Sequence, residues 1–380
     1  MKLLFDGTAT QGSRINPYSG GADYAVFVLQ SAIQHGYTGF DMVLNKNNPV
    51  NPKIQNIINN KSVNVIWINK HEDIYGIIKN GKYTRFYSAQ PKLHKPTGVE
   101  NIYVIHGLRS IELPWDYYRY KYTTSLPQKI LYWIISNNNL IINNLKQKHL
   151  NKTYKGIIDN ADKLTVVSQH TKYSVKNYFP HYDLNNIHVI HSPQSYDKDN
   201  IASSNPYGWY FLMTNGNRYE KNVYRAVKAF DNLFDKGLLP DAKIVITGGK
   251  KISWKKEIKH IARYVLLDYV SSEDLEALYR YAGAFVYPSL NEGYGYPPLK
   301  AMLYGVPVAA SCATSIPEVC KDGALYFNPL DLSDIQNRII QLYYNQEIRE
   351  QLKQNGYKIT DTLKQQQDNN METLLSIIFE

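Results

Sequence analysis

The stretch Asn291-Glu-Gly-Tyr-Gly-Tyr-Pro-Pro-Leu-Lys-Ala-Met-Leu-Tyr-Gly-Val-Pro-Val308 sets one acidic residue, two glycines and two prolines ahead of an apolar run. Gly293 and Gly295 let the backbone turn tightly and come close to a ligand. Pro297 and Pro298 suit a first helical turn, where a missing N–H costs nothing. The pattern predicts a helix from about Pro297 to Tyr304 that stops at Gly305. Its first N–H groups point back at the glycine loop and make an anion site suited to a diphosphate. Glu292, at the mouth of that site, is unsuited to phosphate and suited to accept hydrogen bonds from sugar hydroxyls.

Working outward, strands and helices alternate on both sides of this stretch. Short apolar strands are expected at 2–5, 41–44, 63–68, 102–105, 164–167 and 188–190, with helices at 22–35 and 126–148. Residues 192–207 carry Pro193, Pro206 and many polar side chains and read as a linker. A second series follows, with strands at 210–214, 243–247, 265–267, 284–287, 308–310 and 325–327. Helices are expected at 222–233, 272–281, 333–345 and 347–362, with a polar stretch at 365–370 and a short apolar helix at 371–379. Such alternation argues for parallel sheets covered by helices on both faces, an α/β fold.

At 380 residues two domains are the default, and 43% hydrophobic content is enough for real cores. No apolar run reaches the length of a membrane span. Met1–Phe5 is cut short by Asp6 and Gly7 and reads as a strand rather than a signal peptide. Cys312 and Cys320 cannot build a disulfide framework, and a reducing cytoplasm fits them. Residues 1–195 hold 22 Lys and Arg against 11 Asp and Glu, a balance of +11; the remainder holds 21 against 22, a balance of −1. The basic half is expected to meet an anionic membrane surface or a pyrophosphate-linked acceptor, or else its lysines only keep the chain soluble. No motif supports nucleic-acid binding. The apolar residues of 126–145 recur at helical spacing, which favours core packing over a seat on a membrane interface.

The 291–308 stretch resembles the retaining glycosyltransferases of family 4, whose motif is written around E-G-F-G-x-P-x-x-E-A. Glu292 matches the first Glu and Tyr294 the Phe, while Lys300 stands where the second Glu belongs. Tyr269–Tyr279, Pro288-Ser289-Leu290 and Ser315–Val319 extend the similarity, with Ser272 read as a helix cap. The resemblance implies the GT-B fold: a Rossmann-like acceptor-binding domain over 1–195, a Rossmann-like nucleotide-sugar domain over 205–360, a cleft between them, and a helix at 361–380 crossing back to the first.

It also implies roles. Glu292 contacts the donor sugar, and Lys221 and Arg218 neutralise the diphosphate as it departs. Asn217, Gly248, Gly293, Tyr294, Gly295, Tyr296 and Lys300 would line the donor site, and Gly20 and Gly21, after Ser19, its N-terminal glycine loop. His106, in Val104-Ile-His-Gly-Leu-Arg109, would lie near the sugar, although the Asp usual after it is replaced by Gly107. Arg109 and Trp115 are candidates for the acceptor. Lys300 is a donor only and cannot accept a hydrogen bond from a ribose hydroxyl, which points to a donor with an unusual sugar or nucleotide, including a deoxythymidine one that lacks a 2′-hydroxyl. No His, Asp or Glu cluster has metal spacing, so no metal or other cofactor is expected. The implied reaction moves a hexose from a nucleotide-sugar to a hydroxyl of a glycan or lipid-linked acceptor, in the cytoplasm or at the inner face of a membrane. An epimerase on the same fold and an inactive partner subunit are the alternatives.

Overall fold

The structure is a computed structural model; it describes residues 2–12, 20–194 and 206–380. Contacts divide the chain into two compact units, one of Met1–Leu108, Gln147–Gln194 and Gln366–Glu380, the other of Arg109–Lys146 and Ser195–Gln365. The first unit is therefore discontinuous, and the segment 109–146, expected in the first domain, clusters with the second.

The first unit is built on a seven-stranded sheet: β1 (Leu3–Asp6), β2 (Asp41–Asn45), β3 (Asn64–Ile68), β4 (Arg85–Ser88), β5 (Glu100–Ile105), β6 (Lys163–Val166) and β7 (Ile187–Val189), in the order β3-β2-β1-β4-β5-β6-β7. The second has six strands: β8 (Tyr210–Met213), β9 (Lys243–Ile246), β10 (Tyr264–Leu266), β11 (Ala284–Tyr287), β12 (Val308–Ser311) and β13 (Ala324–Phe327), in the order β10-β9-β8-β11-β12-β13. Every pairing is parallel. Parallel strands are covered on both faces, so they read as unbroken apolar runs; β8, β11 and β12 are buried along their whole length.

Departures from the sequence reading have local causes. β4 was not expected because Arg-Phe-Tyr-Ser carries polar ends; inside the unit Arg85 is paired with Glu100 at 2.5 Å and Ser88 with Asp6 at 2.7 Å. Helices at Pro52–Asn59, Asp73–Asn80 and Gln169–Tyr178 fill crossovers that the pattern left open. The helix expected over 126–148 is two, Leu126–Ser136 and Asn139–His149, broken where the Asn138 side chain accepts from the Ile141 N–H at 3.1 Å. Its apolar residues are not core: Ile135 is buried, while Leu126, Ile130, Leu131, Trp133, Ile134 and Leu140 are exposed.

The C-terminal region holds the opposite surprise. The polar stretch 365–370 does not interrupt it; Gln346–Phe379 is one helix of 34 residues, because Gln is a good helix former and burial of Leu363 and Met371 on either side offsets the cost of Asp368, Asn369 and Asn370. Its last turns close the first unit, as expected of the returning helix. Leu374, Leu375 and Ile378 are fully buried, Phe379 stacks on Tyr37 at 4.4 Å, and Arg85 donates to the Ile378 carbonyl at 3.2 Å. Leu374→Ala should destabilise the protein by about 2–4 kcal/mol, read from urea denaturation. An unchanged midpoint would show that these turns do not belong to the first unit's core.

Candidate active site

In the second sheet the chain runs from β8 outward to β10 on one side and from β11 outward to β13 on the other. The connections leaving the carboxyl ends of β8 and β11 therefore diverge and open a crevice, the place where open α/β sheets bind ligands. The loop after β8 carries Asn217, Arg218 and Lys221; the loop after β11 carries Glu292 and the two glycines. Their convergence follows from strand order alone.

Glu292 is almost fully buried, and its Oε1 accepts from Lys221 Nζ at 2.5 Å, Tyr287 OH at 2.7 Å and Ser289 Oγ at 2.5 Å. Lys221 Nζ also donates to Tyr287 OH at 3.0 Å, and Arg109 Nη2 stands 4.0 Å from Glu292 Oε2. The backbone is fixed as firmly. The Glu292 N–H donates to Thr314 Oγ1 at 2.9 Å, and Ser315 Oγ donates to the carbonyls of Glu292 and Tyr294, both at 2.9 Å. Thr314 sits at φ +53°, a left-handed conformation that is strained for a β-branched residue. Burial pushes the Glu292 carboxyl up, but the Lys221 ammonium, the Arg109 guanidinium and the donated hydrogen bonds outweigh it and hold it below its ordinary value. Burial, with the adjacent Glu292 charge, drives the Tyr287 phenol well up, so it remains a neutral donor.

Two further ties hold the crevice walls together. Asn222, left-handed at φ +56°, opens the helix Val223–Asp235 and donates to the carbonyls of Pro288 at 3.0 Å and Pro329 at 2.8 Å. The Leu290 N–H donates to the Glu220 carbonyl at 2.7 Å. Arg218 does not reach Glu292; its Nε donates to Glu220 at 2.7 Å, and Glu220 also accepts from Arg109 at 3.4 Å. Asn217 bonds Tyr269 OH at 3.3 Å beside Gly248, whose φ of +63° only glycine adopts readily.

In the motif loop Gly295, at φ +120°, precedes the helix Tyr296–Leu303, with Pro297 and Pro298 in its first turn and Gly305 just past its end. The helix begins one residue earlier than expected. Gly293 lies between Glu292 and buried Tyr294, whose ring meets that of Tyr296 edge-on at 5.6 Å. Lys300 is engaged by the neighbouring helix Ser272–Tyr281: its Nζ donates to Glu276 at 2.7 Å, and Tyr304 OH donates to the same carboxylate. The cap of that helix is Ser271 rather than Ser272.

The remaining candidates fall elsewhere. Gly20 and Gly21 open the helix Gly20–Gln34 in the first unit, where a side chain on Gly21 would collide with Gln90; Ser19 lies outside the described residues. His106 ends β5 in the same unit, with Nε2 2.9 Å from the Ala89 carbonyl and its ring edge-on to Tyr24 at 4.9 Å. Burial keeps His106 neutral. Trp115 lies under the Arg119 guanidinium at 3.8 Å and against Tyr132 at 6.0 Å. Sequence reasoning missed Tyr287, Ser289, Thr314, Ser315, Glu220 and Asn222 as partners of the site. Ser289 stood in a quoted motif, and its position three residues before Glu292 was the available signal.

Residues 197–359 match the family of glycosyl transferases, group 1. The chain is similar to O-antigen chain mannosyltransferase B of Escherichia coli, 48% identical over 84 residues, or 22% of each chain. It is similar to O-antigen chain mannosyltransferase RfbU of Salmonella typhimurium, 29% identical over 164 residues, 41% of this chain and 44% of that one. It thus spans a fifth to under a half of these relatives' length. Among solved structures, sucrose-phosphate synthase from Thermosynechococcus elongatus superposes with a TM-score of 0.66 over 99% of this chain and 97% of that one, at 13% identity. WaaG, a glycosyltransferase involved in lipopolysaccharide biosynthesis, gives 0.62 over 100% of both chains at 11% identity. The fold is GT-B.

The buried pair makes a stability prediction. Lys221→Met strands the Glu292 carboxylate and should cost about 3–5 kcal/mol, most of it recovered in Lys221→Met/Glu292→Gln, by chemical denaturation. The folded carboxyl titrates below its ordinary value, so its stabilisation is complete above that value and is lost as pH falls through the depressed one. Glu292→Gln should therefore lose less stability than the parent on acidification below about pH 4; parallel losses would count against the pairing.

Proposed function

We propose that the protein is a retaining glycosyltransferase that moves mannose, or a closely similar hexose, from a nucleotide-sugar donor to a hydroxyl of a glycan or lipid-linked acceptor. The observation that carries this reading is the Lys221–Glu292 pair at the β8/β11 switch point, next to the Gly295 turn and its helix N-terminus. Cation, carboxylate and backbone N–H groups in one crevice are what a sugar diphosphate needs. Relatives named as O-antigen mannosyltransferases supply the sugar and the polysaccharide setting, and the Anabaena HepE structure in complex with UDP and glucose has the same fold.

In this reading the donor replaces an internal pair. The diphosphate draws Lys221 away from Glu292, and the freed carboxylate accepts hydrogen bonds from the sugar hydroxyls. Tyr287 and Ser289 keep it in place meanwhile. The anomeric C–O bond breaks toward the diphosphate, and the acceptor oxygen bonds to the anomeric carbon from the same face. Its proton passes to the departing phosphate oxygen. Lys221, with Arg218 once released from Glu220, stabilises the charge that builds on that oxygen, which is largest in the transition state. No metal is then required. Glu276, held by Lys300, offers a carboxylate beside the position where the family motif has its second Glu, so a ribose-bearing donor is accommodated through the neighbouring helix. The setting is cytoplasmic, at the inner face of a membrane where a lipid-linked acceptor resides.

The test is release of nucleoside diphosphate from guanosine, uridine and deoxythymidine sugar nucleotides with acceptor and EDTA present. We expect release from one mannose donor, reduced at least about a hundredfold in Glu292→Ala and Lys221→Ala. Equal turnover in both variants, or a donor converted to a new sugar nucleotide without acceptor, would overturn the reading.

A further inference from the structure

The helix Leu126–Ser136 presents its apolar side outward. At 100° per residue, Trp133, Leu126, Ile130, Ile134, Pro127 and Leu131 span an arc of about 160°. Within it Leu126 is 67% exposed, Ile130 53%, Leu131 52%, Trp133 52% and Ile134 44%. The opposite side holds the helix to its own unit: Ile135 is buried, Tyr132 meets Trp115 edge-on, and Ser136 Oγ donates to the Asp116 carbonyl at 3.1 Å. The helix Asn139–His149 contributes no buried residue and adds exposed Leu140. Soluble proteins rarely leave such a contiguous apolar face bare.

Charge indicates what covers it. From Tyr117 to Ile158 there is no Asp or Glu, against seven Lys and Arg. Three of these cations are used internally, Lys121 with Glu257 at 2.8 Å, Lys155 with Asp159 at 2.9 Å and Arg119 over Trp115. Lys129, Lys146, Lys148 and Lys152 lie in or directly after the two helices. An apolar arc carrying a Trp, flanked by lysines and free of carboxylates, is the composition of a helix that lies in the plane of an anionic lipid surface. A seam between two copies would set these lysines against one another. Among the described residues no helix is long and apolar enough to cross a membrane.

We propose that Leu126–Ser136, supported by Asn139–His149, is a docking element that inserts its Leu126/Ile130/Trp133/Ile134 face into an anionic phospholipid bilayer. This deepens the membrane-surface part of the reading above. It names the element responsible, and Leu126–Ser136 belongs to the unit that carries Glu292 and Lys221.

Flotation with vesicles tests it without donor or acceptor, so failure here and failure of the transferase reading are separable. The full chain should float with phosphatidylcholine vesicles containing phosphatidylglycerol and not with phosphatidylcholine alone, and raised salt should weaken binding. Ile130→Ser/Trp133→Ser/Ile134→Ser should lower the bound fraction about tenfold or more with an unchanged melting temperature, since all three side chains are exposed. Lys146→Glu/Lys148→Glu should weaken binding without altering the apolar face. Flotation of the triple variant equal to the parent, or no flotation of the parent, would overturn the proposal. So would a lipid-free dimer of the parent, by light scattering, that the triple variant dissociates.

Discussion

The Lys221–Glu292 pair organises the second unit's crevice. Two opposite charges with almost no solvent are stable only if every lone pair and proton is answered, and the surroundings are arranged to do that. Tyr287 and Ser289 come from the end of β11, Lys221 from the turn after β8, and Arg109 from a segment more than a hundred residues upstream. Asn222 ties one loop to the other through two carbonyls, and Thr314 accepts a left-handed conformation to receive the Glu292 N–H. Removing either charge affects all of these contacts, because each was built around a neutral sum.

That arrangement also explains how the crevice holds its charged side chains in fixed positions. Charged groups cannot stand bare in a buried crevice. They satisfy each other, and Arg218 and Arg109 do the same by sharing Glu220. In the proposed reaction the donor's phosphates and hydroxyls would take over these partners in exchange.

Much of this was legible in the sequence. β8, β11 and β12 are fully buried parallel strands and declare themselves as apolar runs; the Gly295 turn and the prolines after it declare a helix start. Glu292 and Lys221 were identified by motif, and strand order then accounts for their meeting. What was not legible depends on partners distant in sequence. β4 hides its polar ends in tertiary contacts with Glu100 and Asp6. Lys300 stands where the motif has a carboxylate, and its partner Glu276 comes from the Ser272–Tyr281 helix, which motif spacing does not show. The 126–145 stretch has a periodicity that is the same whether its apolar face meets a core or the outside, so spacing alone could not distinguish them.

The helix Gln346–Phe379 carries a consequence for how the chain is made. Its last turns supply Leu374, Leu375 and Ile378 to a core whose β1 strand leaves the ribosome first. That core cannot close until residues 374–378 have emerged. The first unit must wait, with the buried face of its sheet incomplete, while the whole second unit emerges and folds. Vectorial synthesis therefore inverts the spatial numbering, and the second unit is the one able to finish first. A ribosome that stalls within residues 366–380 would leave an intact second unit joined to an uncovered, aggregation-prone sheet.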